Sequence, residues 1–277
     1  MPTWLGACGN SGCQPVKFFA MITSVSNPKL KLIRNLQAKR AARETEGLFV
    51  VEGARLIEEA LRAPGVPRLA LYADGLDPRA QAALELLQAR GAALELASPQ
   101  VMAAASGTET PPGLLAVVPL PALEPPALLT LALVLDGLRD PGNLGTILRT
   151  ADAAGVQAVF LTPGTVDAFN PKVVRAAMGA HFHVPVVVSG WEALAQQLAG
   201  LALWLAEARI GEPYPRVDWR VPSALLIGSE ANGPSPAARR LAPGRVTIPM
   251  PGQAESLNAA VAAGVILFEA ARQRGAV

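Results

Sequence analysis

Three short segments carry polar residues whose types and spacing suit chemistry on a bound ligand. The first runs from Leu135 to Asp152 and reads as a buried strand, a polar Gly/Pro turn and a helix. Asn143 is placed to cap that helix. Gly142 and Gly145 admit close approach of a ligand or a second backbone. Arg149 falls in the second turn, within reach of a phosphate held at the helix entrance. The second segment, Leu225 to Ser235, takes a buried strand into a turn of small residues, Gly228-Ser229-Glu230. Strand ends of this kind are where open parallel sheets bind ligands, and Glu230 is a carboxylate able to orient an Arg or Asn. The third segment, Val246 to Ala262, ends a strand at Ile248-Pro249-Met250-Pro251-Gly252, which cannot continue a sheet. Glu255 and Ser256 then precede a helix of small residues. Asn258 is a poor helix-interior residue, so a specific hydrogen bond is expected of it.

Each segment also has a purely structural reading: a capped βα turn, a helix-entry charge at Glu230, and close helix packing. A dinucleotide site is excluded more firmly. The glycines form G-x-x-G rather than G-x-G-x-x-G, and the second strand ends Phe160-Leu161-Thr162 without an acid. His181 and His183 form H-x-H, but two ligands without a third nearby make a poor metal site, so no metal is expected.

The elements that must position these segments fall into two halves. In the second half, strands are predicted at Leu131–Leu135, Ala158–Leu161, Val184–Val188, Leu201–Leu205, Ala224–Ile227 and Arg245–Ile248. Helices are predicted at Leu144–Ala154, Pro171–Met178, Trp191–Ala199, Pro236–Leu241 and Leu257–Gln273. Continuous apolar strands such as Leu131–Leu135 indicate a parallel sheet covered on both faces. On the last helix Leu257, Val261, Val265 and Phe268 form a stripe with ordinary core spacing. The first half opens with a basic helix over Pro28–Arg43. It continues through strands at Leu48–Val51, Arg68–Tyr72, Ala93–Ala97 and Leu114–Val118, with helices at Gly53–Ala63 and Pro78–Arg90. That is a small three-layer α/β domain over residues 22–118. Pro119, Pro121, Pro125 and Pro126 mark a stiff linker over 119–127, and a second domain follows over 128–277. Residues 1–21 read as a disordered extension or a misassigned start.

Composition bounds the rest. The 277 residues are 51% hydrophobic and 17% charged, which excludes global disorder. Net charge is only +2, yet the seven Lys/Arg between Met1 and Arg43 meet no acid. Such a stretch suits a polyanion such as RNA; a solvated helix face is the plain alternative. The two cysteines, Cys8 and Cys13, form a lone C-x4-C and make a poor zinc signal. A core without cysteine fits a reducing cytoplasm. No apolar run reaches the ~18 residues of a membrane span.

Taken in order, the three segments resemble the signature motifs of the SpoU/TrmH family of SPOUT methyltransferases. The patterns are N-x-G-x-x-x-R-T-A from Asn143, I-G-S-E-x-x-G from Ile227, and I-P-M…S-L-N from Ile248 to Asn258. The likeness covers roughly residues 125–273. Residues 22–118 resemble the L30e-like RNA-binding domain that precedes it in many members, through F-V-V-E-G-x-R-L-I-E-E-A-L at Phe49–Leu61.

The resemblance implies a SPOUT-type parallel sheet closed by a deep C-terminal trefoil knot, a topology that periodicity cannot reveal. It implies S-adenosylmethionine as cofactor, contacting Gly228, Ile248 and Leu257, with Thr162, Ser229 and Met250 nearby and main-chain groups holding the adenine. It implies a homodimer through the methyltransferase domain, with the active site near the subunit interface. The catalytic candidates carried over are Asn143, Arg149, Glu230, Ser256 and Asn258. Lys29, Lys31, Arg34, Lys39, Arg40 and Arg43 are the RNA-binding candidates.

The implied reaction moves a methyl group to a ribose 2′-OH, with structured RNA as partner and 23S rRNA as the leading substrate. A tRNA substrate, a base-methylating relative and a non-catalytic rRNA assembly factor are the alternatives; the presence of Asn143 and Arg149 speaks against the last two. Methyl transfer needs in-line placement more than metal help. Arg149 is an awkward base because a guanidinium does not give up its proton in proteins. The expectation is that it clamps an RNA phosphate and lowers the hydroxyl's pKa. Asn143 and Asn258 then orient substrate and Arg149, and Glu230 holds the group together.

Overall fold

A computed structural model describes residues 21–230 and 232–275. The expectations for residues 1–20, Cys8 and Cys13 among them, lie outside the described residues.

The first half is built on a four-stranded sheet in the order β1-β4-β2-β3. Its strands are β1 (Leu48–Glu52), β2 (Leu69–Tyr72), β3 (Ala93–Leu96) and β4 (Leu114–Pro119). β4 runs antiparallel to both β1 and β2, while β2 and β3 are parallel. Alternating residues face opposite sides. Phe49 and Val51 join α3 (Ala54–Arg62) and α4 (Pro78–Ala89) in one core. Leu48 and Val50 join α1 (Pro28–Ala38) and α5 (Pro99–Ala105) in another. Two expectations change here. The basic helix is two helices, because Lys39 is extended between α1 and α2 (Arg40–Glu46). α5 was not anticipated, although its start is written in the chain: Ser98 accepts from Val101 N, and Pro99 sets the first turn.

The second half carries a seven-stranded sheet in the order β7-β6-β5-β10-β8-β11-β9, in which all paired strands are parallel. The elements are β5 (Leu131–Asp136), α6 (Pro141–Ala153), β6 (Ala158–Leu161), α7 (Pro171–Ala177), β7 (Val186–Val188) and α8 (Trp191–Gln197). After them come β8 (Ala202–Ala206), β9 (Glu212–Pro213), β10 (Ser223–Gly228), α9 (Pro236–Leu241), β11 (Gly244–Thr247) and α10 (Ala259–Gln273). All six residues of β5 are buried, as expected of a strand covered on both faces. The chain winds outward from β5 through β6 to β7, then crosses to β8, β10 and β11 on the other side. Ligand sites form beside such a reversal of strand order.

α10 overturns one expectation. Its buried face is Ala260, Ala263, Ile266, Leu267, Ala270 and Ala271. On the predicted stripe, Val261 is 52% exposed, Phe268 45% and Leu257 38%. The helix is apolar around most of its circumference, so spacing alone cannot say which stripe is packed. The small residues win the inner face because α10 packs on α6; a Cβ at Gly264 would sit 3.7 Å from Thr150 Cγ2.

The two halves meet through side chains from both. Phe169 and Phe182 flank Phe49 at ring-centroid distances of 5.1 and 5.7 Å. Arg43 is only 4% exposed, ion-paired with Asp167 across the junction and bonded to the Leu36 carbonyl. This corrects Arg43 as an RNA contact: its guanidinium is committed inside the protein and has no open face for a phosphate. Removing one partner of a buried ion pair strands the other. Arg43→Ala is therefore expected to cost about 3 kcal/mol of stability. Urea denaturation would measure it, and an unchanged midpoint would contradict the assignment.

Candidate active site

The geometry begins at the entrance to α6. Asp140 is the N-cap, accepting from Asn143 N at 2.7 Å, and Pro141 occupies the first helical position. Asn143 is thus inside the first turn, which corrects its expected capping role and leaves its carboxamide free to reach outward. Its Nδ2 donates to Glu230 Oε1 at 2.8 Å, and its Oδ1 accepts from Asn258 Nδ2 at 2.9 Å. Asn258 is itself the N-cap of α10, its Oδ1 accepting from Ala260 N at 2.8 Å and Val261 N at 3.3 Å. The direction of this chain is forced. A carboxylate only accepts, so Asn143 must turn its NH2 toward Glu230 and its oxygen toward Asn258. One hydrogen-bonded line thereby joins all three polar segments.

Beside it lies a cavity of about 570 Å³ at the ends of β10, β8 and β11. Five of the six expected cofactor residues, Gly228, Ser229, Ile248, Met250 and Leu257, wall it, together with Glu230, Ser256 and Asn258. The sixth does not. Thr162 is buried beyond β5, donating to Asp136 Oδ1 at 3.1 Å and accepting from Gly137 N at 3.1 Å, and it borders a separate cavity of about 170 Å³. Nor does Arg149 border the large cavity: it is exposed in the third turn of α6, past the expected second, and no hydrogen bond or ion pair joins it to Asn143 or Glu230.

Gly228 has a packing reason. A Cβ there would overlap the backbone of Gly233 and Pro234, where the turn folds back and Gly233 N donates to Ser229 O at 2.9 Å. Gly145 is also explained by packing, since an added Cβ would lie 2.6 Å from the Val173 carbonyl oxygen on α7. It serves a helix contact and no ligand.

Sequence reasoning missed two buried acids. Asp136, at the end of β5, accepts from Ser235 N at 2.7 Å as well as from Thr162, and so anchors the turn after β10. Glu207, just past β8, borders the large cavity and is ion-paired with Arg239 and Arg245. A lone acid closing an apolar strand was the available signal in both cases.

The histidines are already engaged. His181 Nε2 donates to the Ala168 carbonyl at 2.7 Å, and burial pushes its pKa down to about 4, so it is neutral at physiological pH. His183 Nδ1 donates to Asp152 Oδ2 at 2.9 Å. Among the described residues no three or more His, Cys, Asp or Glu gather as metal ligands, and no helix is long and apolar enough to cross a membrane. On the first half, Lys31, Arg34, Lys39 and Arg40 are exposed, with Arg40 ion-paired to Glu44 at 2.7 Å and Lys29 to Glu95.

The cavity walls suit a medium-sized ligand with an apolar part and polar groups. Ile227, Ile248 and Ile266 supply apolar surface, and Glu207, Glu230 and Arg239 are the charged groups on the wall. The volume is within the ~300–1,000 Å³ typical of small-molecule sites. S-adenosylmethionine, with its adenine and its sulfonium, fits these residues.

Residues 130–268 match the family model described as the SpoU rRNA methylase family. The chain belongs to this family. Residues 27–116 match a second model, the MRM3-like substrate binding domain. The chain is 37% identical over 249 residues to the 23S rRNA (guanosine(2553)-2'-O)-methyltransferase RlmP of Bacillus subtilis, covering 89% of this chain and 97% of that protein. It is 35% identical over 263 residues to the 23S rRNA (uridine(2479)-2'-O)-methyltransferase of Streptomyces viridochromogenes, covering 90% and 91%. Among solved structures, the AdoMet-bound rRNA methyltransferase from Sinorhizobium meliloti superposes with a TM-score of 0.79 at 31% identity, over 91% of this chain and 97% of that one. The SpoU methyltransferase AviRb from Streptomyces viridochromogenes, in complex with AdoMet, gives 0.80 at 33% identity, over 90% and 98%. The α/β fold with its parallel sheet is that of these SpoU methyltransferases.

Proposed function

We propose that this member of the SpoU family is an S-adenosylmethionine-dependent RNA methyltransferase that modifies a ribose 2′-OH in 23S rRNA, in the cytoplasm. The observation that carries the reading is the Glu230–Asn143–Asn258 chain beside a cavity of cofactor size. Relatives aligned over nearly the whole chain and named as 23S rRNA 2'-O-methyltransferases support the substrate class.

When bound, the cofactor supplies a methyl group activated by its sulfonium. The protein's share is orientation and charge. Gly228, Ser229, Ile248, Met250 and Leu257 hold the adenosyl part against strand ends and main chain. Asn143 and Asn258, locked in direction by Glu230, present polar atoms to the incoming ribose, with Ser256 beside them. Arg149 grips the adjoining phosphate and favours loss of the hydroxyl proton. The ridge of Lys31, Arg34, Lys39 and Arg40, with Lys29 at its edge, draws in the RNA backbone. The first half acts as an L30e-like substrate domain (22–118), joined by the linker (119–127) to the catalytic domain (128–277). The segment between β11 and α10 closes the family's trefoil knot; its Asn258 meets α6 while the turn after β10 walls the same cavity.

The protein works as a homodimer through the exposed apolar stripe of α10. Leu257 belongs both to that stripe and to the cavity wall, so the dimer face abuts the site. A charge inside such a face must lose its water. Val261→Glu with Phe268→Glu is expected to shift the protein from dimer to monomer in light scattering coupled to gel filtration, and to reduce methylation with it. A double variant that remains a dimer overturns this face.

The central experiment is nucleoside mass spectrometry on 23S rRNA and tRNA from cells with and without the gene. A 2′-O-methyl nucleoside lost from 23S rRNA is the expected result. Loss from tRNA alone, or loss of a base-methylated nucleoside, contradicts the proposal.

A further inference from the structure

Glu207 is a buried carboxylate to which the reaction so far gives no task. It follows β8, the middle strand of the three that floor the cavity. In the β10–β8 register Leu226 faces Leu205, so Gly228 falls opposite Glu207 two residues on. In the β11–β8 register Val246 faces Ala206, and Glu207 N donates to the Val246 carbonyl at 3.0 Å. Glu207 therefore stands between Gly228 and Thr247, and it borders the cavity together with Gly228 and Ile248, both assigned above to the adenosyl group. Neighbouring strands are only ~4.8 Å apart, so Glu207 lies one strand away from Gly228 at the rim of the same cavity.

The carboxylate is also fixed. Its side chain is 7% exposed; Arg239 approaches Oε1, and Arg245 Nε lies 2.8 Å from Oε2. Two guanidiniums around one carboxylate leave the cluster with a net positive charge, so it does not attract an ammonium. They use one acceptor position on each oxygen, and an ionised carboxylate has about four. What remains is a pair of oriented acceptors facing neutral donors. A vicinal diol offers two O–H groups at matching spacing, and an acid at a strand end is a proven ribose partner in other α/β nucleotide sites.

We propose that Glu207 accepts the two ribose hydroxyls of the adenosyl group, with Arg239 and Arg245 as the residues that position it. The proposal rests on the reading that the cavity holds S-adenosylmethionine. The alternative is that Glu207 only ties α9 to β11.

Calorimetric binding to the full chain separates the two, using S-adenosylhomocysteine, its 2′-deoxy and 3′-deoxy forms, and methylthioadenosine. Hydrogen bonds to a charged group imply that the wild type loses roughly tenfold or more in affinity with each missing hydroxyl. Glu207→Gln is expected to bind S-adenosylhomocysteine about tenfold more weakly and to discriminate less against the deoxy forms. The wild-type series needs no variant, so a misfolded Glu207→Gln leaves the test intact. Equal wild-type affinity for parent and deoxy forms overturns the proposal and leaves the cofactor reading standing. So does a loss seen only with methylthioadenosine, which lacks the amino-acid tail. Absence of any S-adenosylhomocysteine binding overturns the cofactor reading and this proposal with it.

Discussion

Arg149→Ala is expected to slow methyl transfer by about 10²–10³ while leaving S-adenosylmethionine affinity within twofold or so. Arg149 is exposed on α6, six residues beyond Asn143, and makes no ion pair among the described residues. A guanidinium without a carboxylate partner is available to a phosphate, which it meets through a planar fork. Charge placed where an alkoxide develops has its greatest effect in the transition state, so the loss falls on kcat. Exposed substitutions of this kind change stability by less than about 0.5 kcal/mol, so the variant remains folded. Arg149→Lys keeps the charge without the fork and is expected to recover only part of the rate. The measurement is a single-turnover rate at saturating cofactor, with cofactor binding titrated in parallel. Undiminished transfer by Arg149→Ala would remove Arg149 from the mechanism.

Asn143→Ala is expected to reduce transfer by about 10²-fold, through lost orientation. The substitution takes the donor from Glu230 and the acceptor from Asn258 at once. Asn143→Asp is the sharper test because it is nearly isosteric. It sets a second carboxylate against Glu230, and like charges in contact force a rearrangement or proton uptake. Its rate should fall at least as far as that of the alanine variant, with partial recovery in the double variant carrying Glu230→Gln. If Asn143→Asp alone transfers methyl groups at the wild-type rate, the directed chain has no part in orienting substrate. The stability cost of either change should be about 1 kcal/mol, measurable as a small drop in melting temperature.

Much of the fold was readable because its signals are local. The fully apolar run of β5, the alternating elements around it and the Pro-rich break after β4 each follow from burial and backbone restriction within a few residues. Misreadings arose where two local signals competed. Asp140 and Asn143 are both good caps, and Pro141, which favours the first helical position, decides for Asp140. Asn258, judged as a helix-interior residue, is instead the cap of α10. Leu257, Val261, Val265 and Phe268 have the period of a core stripe, as does the alanine-rich face beside them.

By itself the sequence determined the order of the three polar segments, the parallel sheet that carries them and the family to which they belong. Those properties depend on residue type and short spacing, which one chain displays directly. Tertiary structure alone decided which of those residues meet. Asn143 finds Glu230 across 87 positions and Asn258 across 115, because the strand order brings separated ends together. The same long-range pairing took Arg43 out of solvent to Asp167 across 124 positions, moved Thr162 to the far side of β5, and set Glu207 between Gly228 and Thr247. Strand order and helix docking are set by the packing of the whole core, and no local periodicity records them.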